Sequence, residues 1–126
     1  MNLRRNNMDL NTTKQDMLER FRLYGEIYCT LATMPGNDYM DDVRIDVDEI
    51  CDVLDIDEDD MVFNFGDESG RLDFIEIEDD MMTVWYYGFS DGYNRGWTII
   101  HFPTDTIRKL KDLLERYVKA LKEEEA

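Results

Sequence analysis

Asp55, Asp57 and Asp59 alternate with Ile56 and Glu58, which sets three carboxylates at the first three ligand positions of a calcium-binding loop. The pattern then breaks. Asp60 stands where the sharp turn requires glycine, and Gly66 where a bidentate glutamate is required. Nucleophilic chemistry is limited by inventory: His101 is the only histidine, Ser69 and Ser90 the only serines, Cys29 and Cys51 the only cysteines. A Ser–His or Cys–His pair would need His101 beside one of these four and a third group to orient it. His101 lies in an apolar segment that reads as strand, with no nucleophile motif around it, so the reading makes it structural. No lysine falls between Lys14 and Lys109 to serve a magnesium nuclease, and no glycine-rich loop is built to cradle phosphate. The expectation is a protein that is not an enzyme, with no catalytic residue, no cofactor and no dedicated metal site.

What remains is charge. The 126 residues carry a net −16, which argues against a nucleic-acid ligand and against an anionic membrane surface. It favours cationic partners, either a basic protein surface or metal ions. The surplus is local: residues 37–80 hold nineteen Asp and Glu against only Arg44 and Arg71, whereas residues 1–36 hold four acids and five bases, and 81–126 seven of each. General acidification would spread over every exposed face. Like charges crowded within a Debye length repel one another in the folded state, so confinement to one third of the chain points to an acidic face with a use. The bland alternative is a solvated acidic loop and strand edge.

The elements that must position these carboxylates follow from periodicity. Met17, Phe21, Tyr24, Tyr28 and Leu31 recur at helical spacing, widened by Leu18 and Ile27. A capping-box spacing at Thr12 and Gln15 and a stop at Pro35-Gly36 frame a helix over about 13–33. After Gly25 an alternating reading as strand also exists for 26–33. Residues 35–42 read as a polar turn, 43–47 as a short strand, and Asp48 as the cap of one helical turn carrying Ile50, Cys51 and Leu54. Met61, Phe63 and Phe65 alternate, and 66–70 is a hairpin turn. Leu72 and Phe74 then fall out of phase with Ile75 and Ile77, which suggests a bulge or a strand covered on both sides. Strands over 81–89 and 97–102 follow, joined by short connections that favour an antiparallel meander. The last helix opens at Thr104 as N-cap and buries Ile107, Leu110, Leu114, Tyr117, Val118 and Leu121.

The fold class is therefore α+β, an antiparallel sheet of four to five strands flanked by an N-terminal and a C-terminal α-helix. Residues 1–11 read as a flexible leader, 12–122 as one domain and 123–126 as an acidic tail. The first residues lack the apolar stretch of a secretory signal, and nothing approaches the roughly 18 apolar residues of a membrane span. The two cysteines read as reduced, partly buried small hydrophobes, so a cytoplasmic location is expected. Both faces of the last two strands are apolar, which leaves a sheet face for the helices, for a partner or for a second copy in a homodimer.

Size, acidity and the shortage of catalytic groups resemble, as a class, the DNA-mimic antagonists that phages use against restriction or CRISPR nucleases. The resemblance implies an inhibitor that occupies a nucleic-acid-binding protein by presenting carboxylates where phosphates sit. The residues expected to carry it are Asp55, Asp57, Glu58, Asp59, Asp60, Asp67, Glu68, Glu76, Glu78, Asp79 and Asp80, with Tyr93 as the exposed aromatic. Two other readings stay open: an acidic immunity or adaptor protein that blocks a basic partner such as a toxin nuclease, anchored by Tyr93 and Trp97, and a small metal-dependent enzyme.

Overall fold

The structure, a computed structural model, describes residues 3–36 and 42–125. The chain runs α1 (Leu3–Ala32), β1 (Val43–Asp46), α2 (Val47–Leu54), a 3₁₀ turn (Glu58–Asp60), β2 (Val62–Asn64), β3 (Ser69–Glu78), β4 (Met81–Gly88), β5 (Asn94–Thr98), a second 3₁₀ turn (Ile99–His101) and α3 (Thr104–Glu125). This is the expected α+β class: one antiparallel five-stranded sheet with α1 and α3 flanking it. The expected turn at 35–42 lies for the most part outside the described residues.

β3 organises the sheet. β1 pairs with its second half and β2 with its first half along the same edge, while β4 and then β5 extend the sheet on the other side. The change of phase in β3 is a bulge. Leu72 faces Tyr86 and Phe74 faces Trp85, so Asp73 is the extra residue. The insertion puts Leu72, Ile75 and Ile77 on one face, all buried, and turns Phe74 to the other. Asp79 and Asp80 close the β3–β4 hairpin with φ of +52° and +63°, the left-handed pair that matches strand twist and that Asp tolerates better than bulky residues.

Both long helices pack on the face that carries Val43, Ile45, Leu72, Ile75, Ile77, Met82, Val84 and Tyr86, and a single core joins them. On α3 the stripe Ile107, Leu110, Leu114, Tyr117 and Val118 is buried as read. On α1 the stripe is rotated. Leu23, Ile27 and Leu31 are buried, whereas Met17, Leu18 and Phe21 are exposed. The physical reason lies in what α3 and the loop before it offer. Arg20 donates to the Ile100 carbonyl and to Thr104 Oγ1 and pairs with Asp16 at 2.8 Å, and the Thr104 hydroxyl donates to Asp16. That polar clamp turns the Arg20–Leu23–Ile27 side inward. The neighbouring hydroxyl and arginine hold the Asp16 carboxyl below the usual aspartate range, the Thr104 hydrogen bond contributing most.

Other boundaries shift. α1 begins at Leu3, so residues 3–11, read as leader, are helical and Thr12 caps nothing; no Gly or Pro breaks the segment. α3 begins at Thr104, whose hydroxyl ties two helices instead of capping one, and continues to Glu125 through the residues read as a tail. β5 ends at Thr98, so His101 sits in a 3₁₀ turn and is exposed, not within a strand. Cys51 is buried and Cys29 exposed, and both are free.

Candidate functional site

The crossover from β1 to β2 carries the densest acid. α2 turns Val47, Ile50 and Cys51 inward, which sends Asp48, Glu49, Asp52 and Asp55 to solvent. Asp55 ends α2 in the left-handed region, with its N–H on the Cys51 carbonyl. Asp57 then caps the 3₁₀ turn by accepting from the Asp59 N–H, and Glu58, Asp59 and Asp60 follow, all exposed. α2 and this turn thus form an acidic ridge along the β1–β2 edge of the sheet.

The ridge is crowded. Asp48 and Glu58 share a hydrogen bond, which pushes the Glu58 carboxyl up, and the Asp48 charge adds to the effect. Cys51 beneath them is also pushed up, first by burial and then by the charges of Glu58, Asp48, Asp52 and Asp57. Asp48 and Glu58 open onto a cleft of about 450 Å³ with Arg71, Asp73 and Tyr87.

Little of this charge is compensated within the chain. Of the nine ion pairs among the described residues, only Arg44–Asp46 uses a carboxylate of the 37–80 stretch. The other eight are made within and between the helices or inside the β4–β5 connection, for example Arg22 with Glu19 and Glu26, and Arg95 with Asp91. The charge balance of the flanking thirds is spent locally, and the central third keeps its negative field.

The structure sorts the candidate residues into three groups along β3. Asp55, Asp57, Glu58, Asp59 and Asp60 lie together on the ridge, with Asp60 entering β2 beside the middle of β3. Asp67 and Glu68 sit at the start of β3, and Glu78, Asp79 and Asp80 at its end, roughly 30 Å away for a ten-residue strand. Tyr93 belongs to the Asp67–Glu68 end: it precedes β5, and its carbonyl accepts from the Gly88 N–H.

Three of the expected carboxylates are engaged inside the molecule. Glu76 accepts the Trp85 indole N–H at 2.9 Å. Asp80 accepts the Tyr24 hydroxyl on its carbonyl at 2.9 Å and the Tyr28 hydroxyl on its carboxylate at 3.3 Å. Glu68 is folded over Gly88, and its Oε1 is buried with no hydrogen-bond partner among the described residues. These contacts come from β4 and α1, which strand alternation does not reveal. Conversely, Asp48 and Asp52 belong to the ridge and were missed; the helical spacing of Val47, Ile50 and Cys51 is the signal that places them outside.

The sheet face away from the helices carries a second feature absent from the sequence reading. Arg44 lies 3.7 Å over the Phe74 ring, Phe74 stacks on Trp85 at 5.6 Å, and Trp85 lies flat across Gly96 on β5. A Cβ at Gly96 would come within 2.5 Å of the indole, so glycine is what lets the ring lie there.

On the helix-side face, beyond the ends of the helices, Phe65, Gly66, Asp67, Tyr86, Arg95, Trp97, His101 and Phe102 line a cleft of about 220 Å³. Tyr86 stacks on Phe65 at 4.0 Å and Phe102 meets both edge-on. Trp97 stands edge-on to His101 at 6.2 Å and is 51% exposed. Burial pushes the Tyr86 hydroxyl up, with Glu68 and Asp67 adding to it, against Arg95 and the hydrogen-bonded Trp97 indole.

Among the described residues no group of three or more His, Cys, Asp and Glu side chains converges to hold a metal ion, and no helix is long and apolar enough to cross a membrane. No protein-family model, curated protein or solved structure matches the chain.

Proposed function

We propose that the chain is an acidic protein-binding inhibitor of the DNA-mimic, anti-restriction or anti-CRISPR kind, acting in the cytoplasm on a nucleic-acid-binding protein. Its carboxylates stand where phosphates would sit. The observation that supports this reading most is the pairing pattern: among the described residues, eight of nine ion pairs leave the acids of residues 37–80 untouched. Folding gains nothing from an uncompensated ridge; Asp48 and Glu58 already compete there for a proton. A phosphate-binding surface supplies the missing cations. Among the described residues Asp52, Asp55, Asp59 and Asp60 make no side-chain hydrogen bond or ion pair, and Asp67, Glu78 and Asp79 extend the field toward the two ends of β3.

Association driven this way is steered by long-range attraction and weakens steeply with salt. The test is affinity capture with the full chain at low and high salt, with duplex DNA as competitor. Capture of a nucleic-acid-binding protein that both DNA and salt release supports mimicry. Capture that DNA leaves intact removes it.

A second reading, an acidic immunity or adaptor protein, is favoured by one observation: Tyr93 is 69% exposed and Trp97 51% exposed at the same end of the sheet. Aromatic anchors in a rim of charge carry affinity in many interfaces. On that reading Tyr93→Ala and Trp97→Ala abolish capture while neutralised ridge acids are tolerated.

A further inference from the structure

The cleft beside Tyr86 has an unusual balance of groups. Its floor is aromatic, since Phe65, Tyr86 and Phe102 are each at most 5% exposed. Its mouth is ringed by Asp67, Arg95, Trp97 and His101. The one cation among these that is paired is Arg95, whose guanidinium is held by Asp91. Asp67 makes no ion pair among the described residues.

Next to the cleft lies an acceptor with nothing to accept. Glu68 Oε1 is buried without a partner among the described residues, and a buried carboxylate oxygen left unsatisfied costs more than almost any other polar atom. Glu68 is held there by the fold: it lies over Gly88, where any side chain would displace it, and its carbonyl accepts the Phe65 N–H. Its charge and that of Asp67 reach the Tyr86 hydroxyl. Counting Asp67, Glu68 and Asp91 against Arg95, the end of the sheet is two charges negative. The missing component is thus a flat, multidentate cation that stacks on aromatic rings and donates to carboxylates. Guanidinium has that chemistry; ammonium is rounder and more strongly hydrated.

We propose that this cleft is a socket for one arginine side chain of the basic partner, its guanidinium against Trp97 and Tyr86 and its N–H groups directed to Asp67, with the charge of Glu68 beside it holding the cation in place. The proposal rests on the reading of the chain as a binder of a basic protein, and it adds a defined anchor to a diffuse acidic field. Arginine, not a phosphate-like surface alone, would then fix the register of the complex.

The chain holds two tryptophans, Trp97 in the socket and Trp85 on the opposite sheet face, so each reports on its own side. The experiment titrates the intact, isotope-labelled protein with N-acetyl-arginine methylamide and follows both indole N–H signals, with the citrulline and lysine counterparts as controls. The Trp97 signal is expected to move saturably while the Trp85 signal stays, with the uncharged citrulline counterpart about tenfold weaker. Lysine falls between them. Glu68→Gln and Asp67→Asn each weaken binding at least fivefold, and a retained Trp85 signal shows that the variant is folded. Neutralising Asp52, Asp55, Asp59 and Asp60 changes it by less than threefold.

A shift that is linear in concentration, equal for citrulline, or shared by both tryptophans overturns the socket. Because the probe is a small molecule, the two proposals fail separately. A socket that binds the probe in a chain that captures no basic protein refutes the inhibitor reading alone. Capture by a chain whose Trp97 ignores the probe refutes the socket alone.

Discussion

Gly96 is a position where the geometry makes a sharp demand. In Gly96→Ala the new Cβ would lie 2.5 Å from two carbons of the Trp85 indole and 2.7 Å from a third. Cβ atoms do not approach that closely, and the backbone at Gly96 is not in the left-handed region, so the clash with the ring is the whole effect. Trp85 must swing away, and three interactions go with it. The indole hydrogen bond to Glu76 is worth about 1 kcal/mol. The stack on Phe74 is worth about 0.5–1.5 kcal/mol. Crowding a packed surface adds about 1–3 kcal/mol. These overlap, since one ring movement relieves part of the crowding while breaking the contacts, so the expected cost is about 2–4 kcal/mol. At roughly 4 °C per kcal/mol for a domain of this size, the midpoint falls by about 8–15 °C.

The assay is a double-mutant cycle read by urea and thermal unfolding. In a Trp85→Ala background the obstruction is gone, and Gly96→Ala becomes mildly stabilising, about 0.5 kcal/mol, because alanine loses less backbone entropy than glycine. The sign of the substitution therefore reverses between backgrounds. If Gly96→Ala costs less than about 0.5 kcal/mol in the parent, or the same in both backgrounds, Trp85 does not lie across β5 and the ordered open face does not exist.

Three further expectations follow from the packing and the charges. Ile27→Ala costs about 2–4 kcal/mol in urea unfolding while Phe21→Ser stays within about 0.5 kcal/mol, which checks that the buried side of α1 is the one observed. Tyr117 is pushed up to about 12, first by burial and then by Glu49, whose carboxylate accepts its hydroxyl. Its neutral form is favoured by the fold, so its contribution is full below about pH 10 and is lost as pH rises toward 12; spectrophotometric titration shows Tyr117 and Tyr86 ionising late, and Tyr117→Phe removes the later component at a cost of about 1 kcal/mol. The raised Glu58 carboxyl has the opposite consequence from a salt-bridged acid: its fold-induced preference is for the proton, so its charge destabilises at neutral pH. Glu58→Gln is expected to raise the midpoint at pH 7, with the gain shrinking in added salt and as pH falls toward the ordinary glutamate value of 4.5, below which it is gone.

Where one element's own period decided the matter, the sequence was readable. The α3 stripe and the phase change that is the Asp73 bulge both follow from residue type and spacing within a few residues. α1 was read in part: Ile27 and Leu31 of the expected stripe are buried and Tyr24 and Tyr28 pack against the core, whereas Met17, Leu18 and Phe21 are exposed and Leu23 is buried in their stead, a choice made by the Asp16–Arg20–Thr104 clamp from eighty residues away. The acidic ridge was legible as a charge density, because it is contiguous in sequence. Which carboxylates are free was not, since Glu76, Asp80 and Glu68 are engaged or buried by groups on β4 and α1. The Arg44–Phe74–Trp85–Gly96 row escaped notice for the same reason: it crosses four strands, and cross-strand register is invisible to a period of two.

On the proposed function, uncompensated carboxylates on the β1–β2 edge are the binding surface. The most direct measurement is capture with the full chain alongside the variant carrying Asp52→Asn, Asp55→Asn, Asp59→Asn and Asp60→Asn, both titrated with duplex DNA and salt. The parent is expected to retain a nucleic-acid-binding protein that DNA and salt each release, and the variant, folded and no less stable, to retain none. Equal retention by the two chains, or retention that DNA does not compete, would contradict it.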